Sequence, residues 1–134
     1  MTDKPILLVE DNPDDELLML RALRKSKVNR EIVVARDGVE AQRLLDKLSP
    51  VLVVLDLKLP KVEGLTVLRR IRGDPRIERL PVVVLTSSRE ERDLAESYAA
   101  GATSFIRKPV EFERFVEVVQ AVCAYWASLN EPPP

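Results

Sequence analysis

An α/β fold, with βα units wound around a parallel sheet, is what this sequence predicts, and three observations carry the prediction. Short apolar runs alternate five times with longer stretches of helical periodicity. Four of the runs are rich in β-branched residues or leucine with no polar alternation, as strands covered on both faces require. The 134 residues, 46% hydrophobic and 32% charged, suit one domain of ordinary composition and leave no room for a second.

Taken in order, the strands are expected at Ile6 to Val9, Ile32 to Ala35, Val51 to Leu55, Val82 to Leu85 and Ser104 to Ile106. Asn12 followed by Pro13 reads as an N-cap and first helical residue, opening the helix after the first strand. Asp37 to Glu40 fits a capping box, and Ala41, Leu44, Leu45 and Leu48 then line one helical face. That stripe overrules the hairpin that Asp37-Gly38 alone would suggest. Gly64, Val67, Leu68 and Ile71 repeat the pattern in a third helix, and Ser88 to Glu91 fits a second capping box at the start of a fourth. Gly73 and Gly101 suit helix C-termini because glycine accepts positive φ at little cost. Asp74 to Pro81 is a connector.

In the last helix Phe112, Phe115, Val116, Val119, Cys123 and Trp126 form one apolar face, read as core. Val118, Tyr125 and Leu129 lie on its shoulder, with Val122 between the two sets. The apolar arc spans roughly 180°, whereas roughly 100° suffices to face a core. The excess is expected to be covered in a homodimer with isologous contacts through Val118, Val122, Tyr125 and Leu129; a tail folded back over the same surface is the alternative. Residues 1–129 form the domain and 130–134 a Pro-rich tail, stiff and extended from Pro132 to Pro134.

Several functions are excluded early. No apolar run reaches the roughly 20 residues of a membrane helix, and the start lacks the basic flank and apolar stretch of a secretory signal, so no membrane association and a cytoplasmic location are expected. With one cysteine, Cys123, and no histidine, an internal disulfide, a zinc site and a Ser-His-Asp triad are all ruled out. Any phosphohistidine must belong to another protein. A net charge of −1 and no basic stripe interleaved with aromatics argue against nucleic acid as a direct partner.

Ligands of open α/β sheets bind beyond the carboxyl ends of the strands. Those positions are polar here: Glu10 and Asp11 after the first strand, Asp56 after the third, Thr86 and Ser87 after the fourth, and Lys108-Pro109 after the fifth. Three crowded carboxylates would raise at least one pKa unless a cation sits among them. Oxygen-only ligands favour a hard ion such as Mg²⁺. An aspartate could then act as nucleophile toward a phosphoryl group, with Lys108 and the Thr86 hydroxyl stabilising charge on the phosphoryl oxygens.

Val9-Glu10-Asp11-Asn12, Val54 to Pro60, Leu85-Thr86-Ser87 and Lys108-Pro109 resemble the receiver domains of two-component response regulators over the whole chain. The resemblance implies a doubly wound, flavodoxin-like sheet of five parallel strands with five helices, and a histidine kinase as phosphoryl donor. It casts Asp56 as phosphoacceptor, Asp11 and Asp56 as direct Mg²⁺ ligands, Glu10 as a ligand through water and Lys58 as donor of a backbone carbonyl. Mn²⁺ is expected to substitute. Thr86 corresponds to the switch hydroxyl, Ser87 to an amide donor to the phosphoryl group and Phe105 to the aromatic rotamer switch, and the Lys108–Pro109 bond is expected to be cis. The ending, with Tyr125-Trp126 and Leu129 to Pro133, is similar to regulators paired with phytochrome kinases, which stand alone and dimerise through the last helix and tail. The chain is thus expected to catalyse only its own phosphorylation and dephosphorylation and, with no output domain following, to signal to an unknown downstream protein through contacts.

Each residue taken singly has a plainer role. Asp11, Asp14 and Asp15 could complement a helix dipole, Asp56 could be a solvated loop residue, Thr86 a β-former capping a turn, and Lys108 a surface lysine. Four successive strand ends each bearing the right group outweigh these readings, although Asp14 and Asp15 stay with the dipole. The rivals are a pseudo-receiver scaffold that works without phosphorylation and a small haloacid-dehalogenase-type phosphatase. The second wants an aspartate where Lys58 stands. Nucleotide or flavin binding fails because none of the four glycines forms a phosphate-cradling loop.

Overall fold

A computed structural model describes residues 4–25 and 29–133. The elements run β1 (Ile6–Val9), α1 (Pro13–Lys25), β2 (Ile32–Ala35), α2 (Gly38–Lys47), β3 (Leu52–Leu55), α3 (Gly64–Arg72), β4 (Val82–Thr86), α4 (Glu91–Ala99), β5 (Ser104–Arg107) and α5 (Phe112–Ala124), with a π-helical turn at Tyr125–Leu129. All strand pairs are parallel, and the sheet order is β2-β1-β3-β4-β5. The order reverses at β1, so the crevice between the carboxyl ends of β1 and β3 is the topological switch point where such sheets bind ligands.

Side chains alternate across the sheet and feed two cores. Ile6, Leu8, Leu52, Val54, Val83 and Leu85 pack with α1 and α5, while Leu7, Val9, Val53, Leu55 and Val82 pack with α2 and α3. The central strands β1, β3 and β4 are buried throughout, as their continuous apolar runs require. β2, expected to be covered on both faces, is half-buried at Ile32, Val33 and Val34, because it forms an edge of the sheet. α4 buries only Ser97, which makes it the most lightly seated helix.

Side-chain caps explain two of the five described α-helix starts. The Asn12 side chain accepts from the amides of Asp14 and Asp15 at 2.9 and 3.1 Å, and Asp37 accepts from the Glu40 amide at 2.8 Å. The reciprocal bond of the Asp37 box lands one residue early, on the Arg36 amide. The second expected box does not cap α4. Glu90 is its N-cap, without a side-chain bond, and Ser88 instead accepts from the Glu90 amide and donates to Asp93. Serine can close such a turn just before a helix as readily as it caps one. Of the two glycines expected at positive φ, Gly101 has φ 105° while Gly73 ends α3 at φ −91°. Gly101 also meets the Arg72 side chain, whose Nε donates to the Gly101 carbonyl and whose NH1 donates to Glu78 and Leu80, tying α3 to the connector.

The last helix departs from its expected face at its start, whereas Trp126 at its end packs against the core as expected. Phe112 is 40% exposed because it stands at the first turn, beyond the reach of the core. In the π-helical turn the Asn130 amide donates to the Tyr125 carbonyl at 2.7 Å, and Ala127 is buried, with Trp126 half-buried and packed edge-on to Tyr125. The tail's Pro132 and Pro133 line a groove of about 190 Å³ with Pro50, Pro81 and Arg76, under the amino ends of the strands; Pro134 lies outside the described residues. No described helix is long and apolar enough to cross a membrane.

Candidate functional site

The backbone ladder continues past each strand and so fixes the residues that follow. The amides of Glu10, Asp56 and Lys108 donate to Ala35, Val9 and Thr86 carbonyls on neighbouring strands at 3.0, 3.1 and 2.8 Å. The ladder thereby holds three ionisable side chains at one end of the sheet in nearly dry surroundings. Glu10 is 1% exposed, Asp56 7% and Lys108 8%.

Lys108 is the centre of the arrangement. Its ammonium donates to Asp15 Oδ2 at 2.7 Å, Glu10 Oε1 at 2.8 Å and Asp56 Oδ2 at 3.1 Å, which uses all three of its protons. The other oxygens of two of these carboxylates are also engaged: Glu10 Oε2 accepts from the Asn12 amide at 3.2 Å and Asp56 Oδ1 from the Lys58 amide at 3.2 Å. The Asp56 loop is held close by Gly64, whose position would bring any Cβ to 2.5 Å from the Asp56 carbonyl oxygen.

One ammonium does not balance this much negative charge. Burial pushes the Glu10 carboxyl up to about 7, against the opposing hydrogen bond and charge of Lys108 and with help from Asp56. Burial alone would lower Lys108, but hydrogen bonds to Asp15 and Glu10 and the charge of Asp56 outweigh it and raise the ammonium above its usual range. Carboxylate oxygens of Glu10, Asp11 and Asp56 all lie within 4.8 Å of one another, with Asp11 exposed at the rim. This oxygen-only set, rich in uncompensated charge, fits a hard divalent cation.

The remaining sequence-predicted residues fall around this core. Thr86 is fully buried at the end of β4, and its hydroxyl accepts from the Ser88 amide at 3.3 Å. Ser87 is exposed and lines a groove of about 410 Å³ beside Asp15, Arg89, Lys108 and Phe112. Phe105 is half-buried on β5; the Arg107 guanidinium lies 5.6 Å from its ring centre, and Arg107 pairs with Glu91 of α4 at 3.6 Å. The Lys108–Pro109 bond, expected to be cis, is trans, the intrinsically preferred isomer of an X–Pro peptide. Far from this end, Val118 and Val122 pack partly onto the core, whereas Tyr125 and Leu129 are 49% and 72% exposed.

Two residues with direct contacts escaped the sequence reading. Asp15, assigned only to the dipole of α1, gives Lys108 its shortest hydrogen bond. The signal was available, because the third residue after the Asn12 cap sits in the first helical turn, at the same end of the sheet as the other acids. Tyr98, whose hydroxyl accepts from the Phe105 amide at 3.2 Å, carried no signal, since nothing in the order of residues sets α4 against the outer edge of β5.

Known proteins share this fold. The chain is 35% identical over 130 residues to response regulator Rcp1 of Synechocystis sp., covering 92% of this chain and 88% of that protein. A crystal structure of the Mn²⁺-bound form of Rcp1 superposes with a TM-score of 0.90 at 34% identity, covering 98% of this chain and 99% of the other. The phosphorylated cyanobacterial phytochrome response regulator RcpA superposes with a TM-score of 0.92 at 37% identity, covering 99% of this chain and all of its own, at 100%. Residues 6–120 match the model of the response regulator receiver domain, and the chain belongs to that family.

Proposed function

We propose that this chain accepts a phosphoryl group from a histidine kinase, of the phytochrome type, on Asp56, and passes the signal on through a changed protein surface. The observation that carries the reading is the buried Asp56 carboxylate, hydrogen-bonded by Lys108 and set among acids that suit a divalent cation. Two relatives support the same reading, Rcp1 in its Mn²⁺-bound form and RcpA in its phosphorylated form.

In this reading an Asp56 carboxylate oxygen attacks the phosphorus of a phosphohistidine in line. The new O–P bond forms as the P–N bond breaks, and the departing imidazole takes its electron pair and then a proton from solvent. Mg²⁺ bound by Asp11, Asp56, the Lys58 carbonyl and, through water, Glu10 would neutralise charge on the phosphoryl oxygens. Lys108 supplies a second positive charge, and its hydrogen bonds to Asp15 and Glu10 with the charge of Asp56 outweigh its burial and hold the proton on it. Thr86, whose hydroxyl rests against the Ser88 amide, turns toward the phosphoryl group, and Phe105 follows into the space vacated. The Ser87 amide is a further donor. Hydrolysis reverses the capture: water attacks phosphorus, releasing inorganic phosphate and restoring the carboxylate.

The exposed Tyr125 and Leu129, with Val118 and Val122 at their base, form the contact between two copies. Incubation with acetyl phosphate and Mg²⁺ followed by intact-protein mass spectrometry tests the chemistry. One phosphoryl adduct is expected on the wild type and none on Asp56→Asn. An equal adduct on both would remove Asp56 as the acceptor. Sedimentation of the wild type beside Leu129→Asp tests the contact, with a dimer expected only for the first.

A further inference from the structure

The phosphoacceptor reading leaves one of the three carboxylates on Lys108 without a role. Glu10 and Asp56 belong to the acidic set that fits a divalent cation, and Asp15 does not. Asp15 nevertheless takes the shortest of the three hydrogen bonds from the ammonium. Its side chain is 26% exposed, against 2% and 8% for Glu10 and Asp56, so it holds the ammonium from the open side of the site. Its backbone is fixed in turn, because the Asp15 amide is bonded to the Asn12 cap of α1. Asp15 also lines the open groove shared with Ser87, Arg89 and Lys108.

We propose that Asp15 is a positioning residue for Lys108, an anionic acceptor that shares the ammonium with the cation-holding carboxylates and that phosphoryl oxygens must displace. The inference rests on the reading of Asp56 as phosphoacceptor. Two consequences of opposite sign follow. Because Asp15 takes one of the three ammonium protons, the positive charge is shared and Glu10 and Asp56 keep more of their own for a cation. The same contact competes with phosphoryl oxygens for the ammonium, because an amine proton given to one anion is withheld from another. Removing the charge should therefore weaken cation binding and strengthen binding of a phosphoryl mimic. A merely structural part in the first turn of α1 would leave both unchanged or impair both.

Calorimetric titration of Asp15→Asn tests this, with Mg²⁺ alone and then with beryllofluoride at saturating Mg²⁺. Mg²⁺ affinity is expected to fall and beryllofluoride affinity to rise, each by about threefold to tenfold, as for one partly screened charge-assisted hydrogen bond. Asp14→Asn removes the same charge from an exposed neighbour with no bond to Lys108, and should move neither constant by more than about twofold at physiological salt. Shifts of the same sign, no shift, or equal shifts in the two variants would overturn the role of Asp15 while leaving Asp56 in place. A wild type that binds neither Mg²⁺ nor beryllofluoride would overturn the phosphoacceptor reading together with the inference built on it.

Discussion

The two ends of the sheet are built on opposite principles. At the amino end, Pro5, Pro50 and Pro81 stand at the thresholds of β1, β3 and β4, and the carbonyls of Pro5 and Pro81 accept from the amides of Val51 and Val53 at 2.8 and 3.0 Å. Arg76 there donates to the Leu45 and Leu48 carbonyls and to Ser49, neutral acceptors at the end of α2. At the carboxyl end the same three strands run into Glu10, Asp56 and Thr86, and charged groups compete for one ammonium. One end closes the core with polar groups already paired. The other keeps excess charge around one ammonium, and the proposed response to a cation or phosphoryl group is placed there.

Cutting the ammonium away should break this contrast most severely. Lys108→Ala leaves Glu10 and Asp56 buried without their cation, and breaking a buried ion pair from one side costs about 3–5 kcal/mol. Urea denaturation in chelator should show a loss of this size, partly restored by Mg²⁺. Leu52→Ala, at the amino end, should lose about 2–5 kcal/mol from its cavity, with no dependence on Mg²⁺. Equal sensitivity of the two variants to Mg²⁺ would erase the distinction.

The pH profile should sharpen the same contrast. Glu10 is raised from 4.5 to about 7, so between those values the folded protein binds more protons than the unfolded chain. Its contribution is fully present below 4.5 and lost as pH rises through about 7. The raised pKa of Lys108 acts only well above this window, since its unfolded value is already 10.5. The cation-free protein should therefore lose on the order of 2 kcal/mol from mildly acidic to mildly alkaline pH, read from the urea midpoint. Glu10→Gln should flatten the curve, and an unaltered slope would assign the effect to another group.

A smaller effect is expected where the loop after Asp56 meets α3. Gly64→Ala would place a methyl group 2.5 Å from the Asp56 carbonyl oxygen and 2.7 Å from the Leu57 Cα, so backbone must shift. A loss of about 1–3 kcal/mol in thermal or urea unfolding is expected. Beryllofluoride binding should weaken with it, because the displaced atoms belong to Asp56, the proposed phosphoacceptor. Unchanged binding would show that this loop yields without moving the carboxylate.

What the sequence made legible follows from the same division. Apolar runs disclosed every strand to within a residue or so at its ends; burial between two helical layers accounts for the unbroken runs of β1, β3 and β4, while the half-buried edge strands β2 and β5 were read from shorter apolar cores. Glu10, Asp11, Asp56, Thr86 and Lys108 could be read because each terminates a strand. Asp15 was missed because one helix-opening acid looks like the next until the reach of Lys108 selects it. Ser88 misled because a hydroxyl serves a turn or a cap with equal local logic, and only the neighbouring Asp93 decides. The phase of the last helix was legible from Phe115 through Cys123 to Trp126, which packs against the core; Phe112 was misplaced because periodicity does not show where along its length a helix leaves the core.

The smallest effect is expected at the amino end, where Cys123 serves as a reporter. Its thiol is fully buried under α5, and burial pushes its pKa up to about 12, so the reactive thiolate is scarce and inaccessible. Iodoacetamide should not label the native protein at neutral pH, and adding Mg²⁺ or beryllofluoride should not change that. Labelling would have to wait for α5 to lift from Met19 and Val83, which share the core with Cys123. Alkylation that accelerates when beryllofluoride binds would mean that charge rearranged at one end of the sheet loosens the helix at the other, and the two ends would then be parts of one moving element.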